Sequence, residues 1–562
     1  GSSTSVTGNT TFLNTGSLSL GDGAGDVLTF VGGLVATSAR TIHVAGTVGT
    51  SNADIILGTA PVSLDGNTTF NAGSGDITLN GTVDGGYSLA LNSTGITTLN
   101  AAFGVSTALT SVTTNAGGTV VMRGGVITTS GAQTYNDDVL LDNSAHATTL
   151  NTSNAAVVFG GSVNNATTSA EALTINAGTG AVTFSGAVGD STANLAIGDL
   201  VVNSGAATTF ASTVDAASVT TDATGTVVIQ GGRITTSGAQ TYNDDVLLDN
   251  SAHATTLNTS NAAVVFGGSV NNATTTAEAL TINAGTGAVT FSGAVGDSTA
   301  NLAIGALVVN SGATTTFAST VDAASVTTDA TGTVVIQGGR ITTSGTQSYG
   351  EAVLLDNSAH ATTLNTSNAA VVFGGSVNNA TTTAEALTIN AGTGAVTFSG
   401  AVGDSTANLA IGDLVVNSGA ATTFASTVDA ASVTTDATGT VVIQGGRITT
   451  SGAQSYGEAV LLDNSAHATT LNTHNAAVLF GGSVNNASAA AESLTINAGT
   501  GAVTFSGAVG DSTANLAIGD LVVNSGAATT FASTVDAASV TTDAAGTVVM
   551  RGGVITTSGA QT

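Results

Sequence analysis

Apolar and polar residues alternate along this chain in runs of three to five, and clusters of Gly, Asn, Asp and Ser separate the runs. One kind of run closes on Asn or Asp: Leu173-Thr174-Ile175-Asn176, Leu200-Val201-Val202-Asn203, Val219-Thr220-Thr221-Asp222 and Val246-Leu247-Leu248-Asp249. A second kind closes on an aromatic or aliphatic residue: Val157-Val158-Phe159, Val182-Thr183-Phe184, Thr208-Thr209-Phe210 and Val227-Val228-Ile229. A period of two in segments rich in Val, Thr, Ile and Phe predicts short, half-buried β-strands. Thr174, Val201, Thr220 and Leu247 then point outward from the first kind, and Val158, Thr183, Thr209 and Val228 from the second. No stretch keeps a 3.6-residue period long enough for a helix.

The runs recur at a fixed distance of 107 residues. His146, His253, His360 and His467 mark it, as do Asn176, Asn283, Asn390 and Asn497, and Phe184, Phe291, Phe398 and Phe505. Residues 1–110 are a diverged version, in which Gly81-Thr82-Val83-Asp84-Gly85-Gly86-Tyr87-Ser88-Leu89-Ala90-Leu91-Asn92 reads against Gly186-Ala187-Val188-Gly189-Asp190 and the Leu-Val-Val-Asn that follows. Residues 111–562 are tandem repeats, the last incomplete. Successive Asn/Asp-closing runs lie 27, 19, 27 and 34 residues apart, which gives four coils per repeat, or five if the longest interval holds a degenerate one.

Strands this short cannot each seed a sheet, but coil stacked on coil they form long parallel sheets around a ladder of like residues. The expected fold is therefore all-β, a parallel β-helix or β-solenoid, and 21–26 coils at the strand spacing make a rod roughly 100–125 Å long. Twelve of the 16 Phe fall at the same place in the repeats, three in each, and are assigned to the core. Asn176 and its copies are expected at turns, each amide bonding the Asn of the next coil as in stacked cross-β strands.

Composition narrows the function. Charged residues make up 7%, with 35 acidic side chains against six Arg and no Lys, a formal net charge of −29. Nucleic acid is excluded as a partner, because nothing can neutralise a row of phosphates. With no Cys there is no disulfide frame, no thiolate nucleophile and no Cys-ligated metal. No apolar run approaches the ~18 residues of a transmembrane segment. The chain opens on Gly1-Ser2-Ser3 without a basic leader, so a signal peptide is expected to be already removed or outside this sequence. Both ends read as uncapped solenoid, so flanking repeats or end-to-end joining of copies is expected.

Candidate chemistry is sparse. The densest acidic group, Tyr135-Asn136-Asp137-Asp138, recurs as Tyr242-Asn243-Asp244-Asp245 and then becomes Tyr349-Gly350-Glu351 and Tyr456-Gly457-Glu458, losing one carboxylate. A glycosidase or lyase needs paired carboxylates in a groove. An acid beside Arg233, Arg340 or Arg447 reads more simply as a turn with an ion pair. The repeat histidines stand one per repeat, too far apart to share a metal, and His474 is alone, seven residues after His467. Gly21-Asp22-Gly23-Ala24-Gly25-Asp26-Val27-Leu28 resembles the calcium-binding nonapeptide of RTX repeats, but it occurs once and departs at two Gly positions. Calcium is the one cofactor considered, and no catalytic, cofactor-binding or metal-binding residue is assigned. Ranked outward Thr would suit an ice-binding face, but the outward ranks mix Thr with Val and Leu. The recurring outward apolar residues leave lateral association open beside ordinary scattered exposure.

The Leu-Thr-Ile-Asn-Ala-Gly and Val-Thr-Phe-Ser-Gly-Ala-Val phrases, with their Gly, Ala, Thr, Asn and Val bias, resemble the repetitive shafts of filamentous-haemagglutinin-like bacterial adhesins. That resemblance implies a right-handed parallel β-helix, export by two-partner secretion or as an autotransporter passenger, and display outside the cell. It lacks an Asn-Pro-Asn-type secretion motif, its one proline being Pro61. The expected function is the structural shaft of an extracellular or cell-surface fibre, without catalysis, that self-associates or continues into further repeats and meets a surface receptor or glycan. The alternatives are a carbohydrate-active enzyme on the same fold and an ice-binding surface.

Overall fold

The computed structural model describes residues 1–143, 147–250, 254–300, 302–357, 361–464, 468–514 and 516–562. It is an all-β chain whose parallel sheets stack as a β-solenoid of about 24 turns. Two compact units divide it: Gly1–Glu278 with Ile282–Gly287, and Ala279–Thr281 with Ala288–Thr562.

In the first unit, each turn of the repeat region passes over three faces, mostly as short strands, with a single bridge at Val188. Interior residues from successive turns line up in three columns. One runs Ile127, Leu150, Ile175, Val202, Thr221, Tyr242. The second runs Tyr135, Phe159, Phe184, Phe210, Ile229, Leu248. The third runs Val139, Val163, Val188, Val214, Ile234. Residues 1–110 stack on the same columns: Leu89 pairs with Val112, Leu99 with Met122, and Phe103 bridges to Ile127.

The columns show that the repeat is not a whole number of turns. Ile234 is the 107-residue copy of Ile127, yet it continues the column of Val139. Tyr242, the copy of Tyr135, continues the column of Ile127, and Leu248, the copy of Leu141, continues that of Tyr135. One repeat therefore occupies 14 strand positions on a three-sided coil, or four and two-thirds turns, within the four to five expected. The second unit repeats this within itself, since Ile448, the copy of Ile341, stands over Val428 in the column of Val353, Val377 and Val402. Each repeat is thus turned by one face relative to the previous one.

This corrects part of the strand reading. The run Val246-Leu247-Leu248-Asp249 does not share a face with Leu200 and Val219; it pairs with Thr226–Ile229 and belongs to the column of the Phe-closing runs. The strand that follows Val219–Thr221 on their own face is Gln240–Tyr242. The run that carries Val219 also covers two faces, because Val214–Thr221 pairs with Arg233–Thr236 through its first half and with Gln240–Tyr242 through its second.

Like residues stack where the columns bring them together. In the first unit, ring centroids lie 5.4 Å apart for Tyr135 and Phe159, 5.0 Å for Phe159 and Phe184, and 5.4 Å for Phe184 and Phe210, with rings near parallel. Strand spacing sets this distance, and the stack gains offset-ring contacts beyond the area it buries. Outside the columns of interior side chains, Asn176 Nδ2 donates to Asn151 Oδ1 (2.8 Å) and Asn203 Nδ2 to Asn176 Oδ1 (2.7 Å). The expected Asn ladder is present, but it runs along the outward side of strands such as Leu173–Gly178 rather than through turns.

The turns fold where residues tolerate a positive φ. In the second unit Asn368 has φ 62° and Gly392, one coil later, φ 59°. Asn368 Oδ1 accepts from Thr393 N at 3.0 Å. A Cβ on Gly392 would collide with that same Oδ1, so the approach of the two coils requires glycine there.

Candidate functional site

Three recurring polar features interrupt the apolar interior, and the first is the acidic turn after each buried Tyr. Tyr135 and Tyr349 are wholly buried. The phenol hydroxyl of Tyr135 donates to Gln133 Oε1 (2.9 Å), and Gln133 Nε2 donates to the carbonyl oxygens of Ile127 (3.2 Å) and Asn151 (2.9 Å). Apolar surroundings push the tyrosine up, out of its ordinary range. Tyr135, which opens the acidic group named from the sequence, lies at the base of the aromatic column.

The carboxylates that follow split into an inner and an outer group. Asp137 and Asp244 are 1% and 2% exposed, whereas Asp138 faces solvent and accepts from Ser162 N (2.7 Å) and Ser162 Oγ (2.8 Å). Asp137 Oδ1 takes the amide of Gly118 (2.8 Å). Burial pushes its carboxyl upward, an effect that the Gly118 amide offsets in part. In the second unit Glu351 and Glu458 occupy the inner place, each Oε2 accepting from a Thr hydroxyl of the coil below, Thr328 or Thr435, at 2.6 Å. Burial pushes Asp244, Glu351 and Glu458 up to about 7. The outer carboxylate is absent from these later copies, where Ala352 and Ala459 replace it.

The second feature is an ion pair. Arg233 does not meet the acidic turn; its Nη1 and Nη2 grip Asp215 Oδ1 (3.0 Å) and Oδ2 (3.3 Å), and Nη1 also reaches Thr235 Oγ1 (2.9 Å). Arg340 holds Asp322 in the same way, and Arg447 holds Asp429. The acids are nearly buried while the arginines are about two-fifths exposed. This bidentate geometry is among the stronger surface pairings. Beside Asp429 lies a shallow cleft of about 330 Å³ floored by Ala410 and Ala430 and edged by Ser405, Thr449 and Ser451. Copies of about 270 Å³ and 340 Å³ lie at Asp215 and Asp536. His474 edges the first of these clefts, where Ser260 stands in the Asp215 copy.

The third feature was not found by sequence reading. Glu171, Glu278, Glu385 and Glu492 are 3–5% exposed, and each accepts from the backbone N–H of an Asn one coil earlier: Asn143, Asn250, Asn357 or Asn464. The Glu171 amide in turn donates to Asn165 Oδ1 at 3.0 Å. Burial raises these carboxyls, and the amide bond opposes it. Their signal was a lone Glu just before each Leu-Thr-Ile-Asn run, repeated at 107 residues.

The remaining candidates resolve plainly. Asp26, in the Gly-rich segment considered for calcium, is saturated: Oδ1 accepts from Ser2 N (2.8 Å) and Ser2 Oγ (3.2 Å), and Oδ2 from the amides of Asp22 (3.0 Å) and Gly23 (3.1 Å). These donors, Ser2 first, hold its carboxyl well below the usual range. Among the described residues no group of three or more His, Asp and Glu is placed to hold a metal ion. His146, His253, His360 and His467 lie outside the described residues. The outward residues are half-buried as expected but form no continuous rank. Along the column that holds Val158 they read Thr134, Val158, Thr183, Thr209, Val228, Leu247, Asn271, so only Val228 and Leu247 are apolar neighbours.

Fold and site together define a tandem-repeat parallel β-solenoid with structural ion pairs and buried acidic turns. Compared with protein-family models, curated proteins and solved structures, the chain matches none of them. No helix among the described residues is long and apolar enough to cross a membrane.

Proposed function

We propose that this chain is the structural shaft of an extracellular or cell-surface bacterial fibre or adhesin, with a spacer or adhesive role and no catalytic one. The observation that carries the reading is the in-register stacking of like on like within each unit, Phe on Phe inside and Asn on Asn outside, coil after coil. Backbone ladders and a dry interior give stiffness without disulfides. The polar side chains of the repeat are spent on holding turns and neighbouring coils together: Arg233 and Arg447 on buried aspartates, Gln133 on backbone carbonyls, Glu171 on an amide. A carbohydrate-active enzyme is the weaker reading, because the acid at Asp137 faces inward and the Arg it would need serves Asp215.

Electron microscopy of the purified chain, with and without millimolar calcium, tests the proposal. It expects stiff rods in the roughly 100–125 Å range that join or bundle. Compact particles would refute it, and cleavage of a polysaccharide by the purified chain would favour the enzyme.

A further inference from the structure

The acidic turn recurs with an unusual feature: it buries carboxylate oxygens that have no partner. In the second unit Glu351 and Glu458 are each 3% exposed, and Oε1 of both makes no hydrogen bond. In the first unit neither oxygen of Asp244 has one. A buried ionised carboxylate without compensation is costly, whereas a neutral carboxyl is far less so.

Among the described residues, the surroundings supply no compensating cation. On the two strands that flank Glu458, within residues 454–462, the other titratable group is Tyr456, whose phenol is committed to Gln454 (3.0 Å). The coil below, residues 428–443, carries Asp429, which is held by Arg447, and Asp436. The coil above, residues 478–486, carries no charged residue. Asp436 is thus the charge that acts on Glu458, and its Oδ1 is itself buried without a partner. Glu351 faces the same set, with Asp329 below it and Tyr349 tied to Gln347. Asp244 faces Asp222 below and Asp245 beside it.

We infer that these turns are proton-operated clasps: the neutral acid at Asp244, Glu351 or Glu458 keeps its turn closed over the core, and loss of the proton opens that turn locally. The Thr328 and Thr435 hydroxyls keep one oxygen of each Glu engaged, so the unpartnered oxygen is the place for the proton. The glutamates are pushed up to about 7, from 4.5. A group raised in the closed state stabilises it fully below the open-state value, and that stabilisation is lost as pH rises toward the closed-state value. The operating window is therefore about pH 4.5 to 7.

Hydrogen exchange of the full chain read by mass spectrometry, corrected for intrinsic rates, tests this turn by turn. The opening constant of the amides around Gly350–Ala352 and Gly457–Ala459 is expected to rise on the order of 50-fold between pH 5 and pH 8 and to level off above 7. Glu458→Gln keeps the shape without the titration, so its turn becomes flat with pH while the turn of Glu351 continues to respond. Asp436→Asn leaves Glu458 in place and moves the midpoint of its turn to lower pH. Protection independent of pH in the parent chain, a Glu458→Gln turn that titrates like the parent, or an unmoved midpoint in Asp436→Asn would each overturn the inference.

Discussion

Truncation of Phe398 to alanine probes the stacking that underlies the shaft. Phe398 is 1% exposed and lies between Phe373 (5.0 Å, 4°) and Phe424 (5.3 Å, 11°). Losing a fully buried ring costs about 3–5 kcal/mol, transfer and cavity together. Phe398→Leu retains most of the apolar volume and loses the two ring contacts, at about 0.5–1.5 kcal/mol each. A solenoid couples each coil mainly to its neighbours, so the damage should be local. Native-state hydrogen exchange is the assay. In Phe398→Ala, amides of Val396–Phe398 and of the strands that pair with it, Val371–Phe373 and Ala421–Phe424, are expected to exchange faster by about two to nearly four orders of magnitude. Phe398→Leu should fall between this variant and the parent. A change below about tenfold at these strands would refute the energetic argument. An equal change across the whole chain would refute coil-by-coil stability, because it would mean that the chain opens as a single unit.

Two further substitutions test other parts of the repeat. Tyr349→Phe leaves Gln347 Oε1 buried without the donor that it now has at 3.0 Å, a loss of about 1–3 kcal/mol, read as a lower denaturant midpoint; replacing Gln347 by Leu as well should lower it further, because Gln347 Nε2 donates to the carbonyl oxygens of Ile341 (3.3 Å) and Asn365 (2.8 Å). Gly392→Ala forces a Cβ onto Asn368 Oδ1 and a methyl-bearing residue into φ 59°. It should destabilise by more than the ~1 kcal/mol that separates these residues in ordinary backbone, whereas Gly→Ala at the open Gly86 should have little effect.

Much of this architecture was legible in residue order. The period of two distinguished inward Leu173 and Ile175 from outward Thr174, and the structure keeps that alternation. The 107-residue recurrence of Phe placed these residues in the core, where they stack. What stayed hidden depends on contacts between coils. Val163–Asn165 turns an Asn rather than a second apolar residue inward and so lacks the apolar alternation of the other runs, and two strand types were read per coil instead of three faces. Without the third face, the turning of each repeat by one face could not be seen, and Val246–Leu248 was assigned to the wrong column. Tyr135-Asn136-Asp137-Asp138 has the composition of an exposed turn; only the neighbouring coils, Thr114 and Gly118 below and Phe159 above, reveal that Tyr135 and Asp137 point inward. Arg233 sits nearer in sequence to Asp222 and Asp244 than to Asp215, and the stacking of Arg233–Thr236 over the first half of Val214–Thr221 selects the last.

A three-sided coil in which the repeat advances by four and two-thirds turns can be probed with engineered cysteine pairs, since the chain has no Cys of its own. Thr434 lies directly beneath Ser455, and neighbouring strand positions fall within the Cα separation of a disulfide. A whole-number repeat would instead bring Thr434 under the strand Arg447–Thr450. Thr434→Cys with Ser455→Cys is expected to crosslink within one chain on oxidation, and Thr434→Cys with Thr449→Cys to stay free. Crosslinking of the second pair and not the first would contradict that geometry.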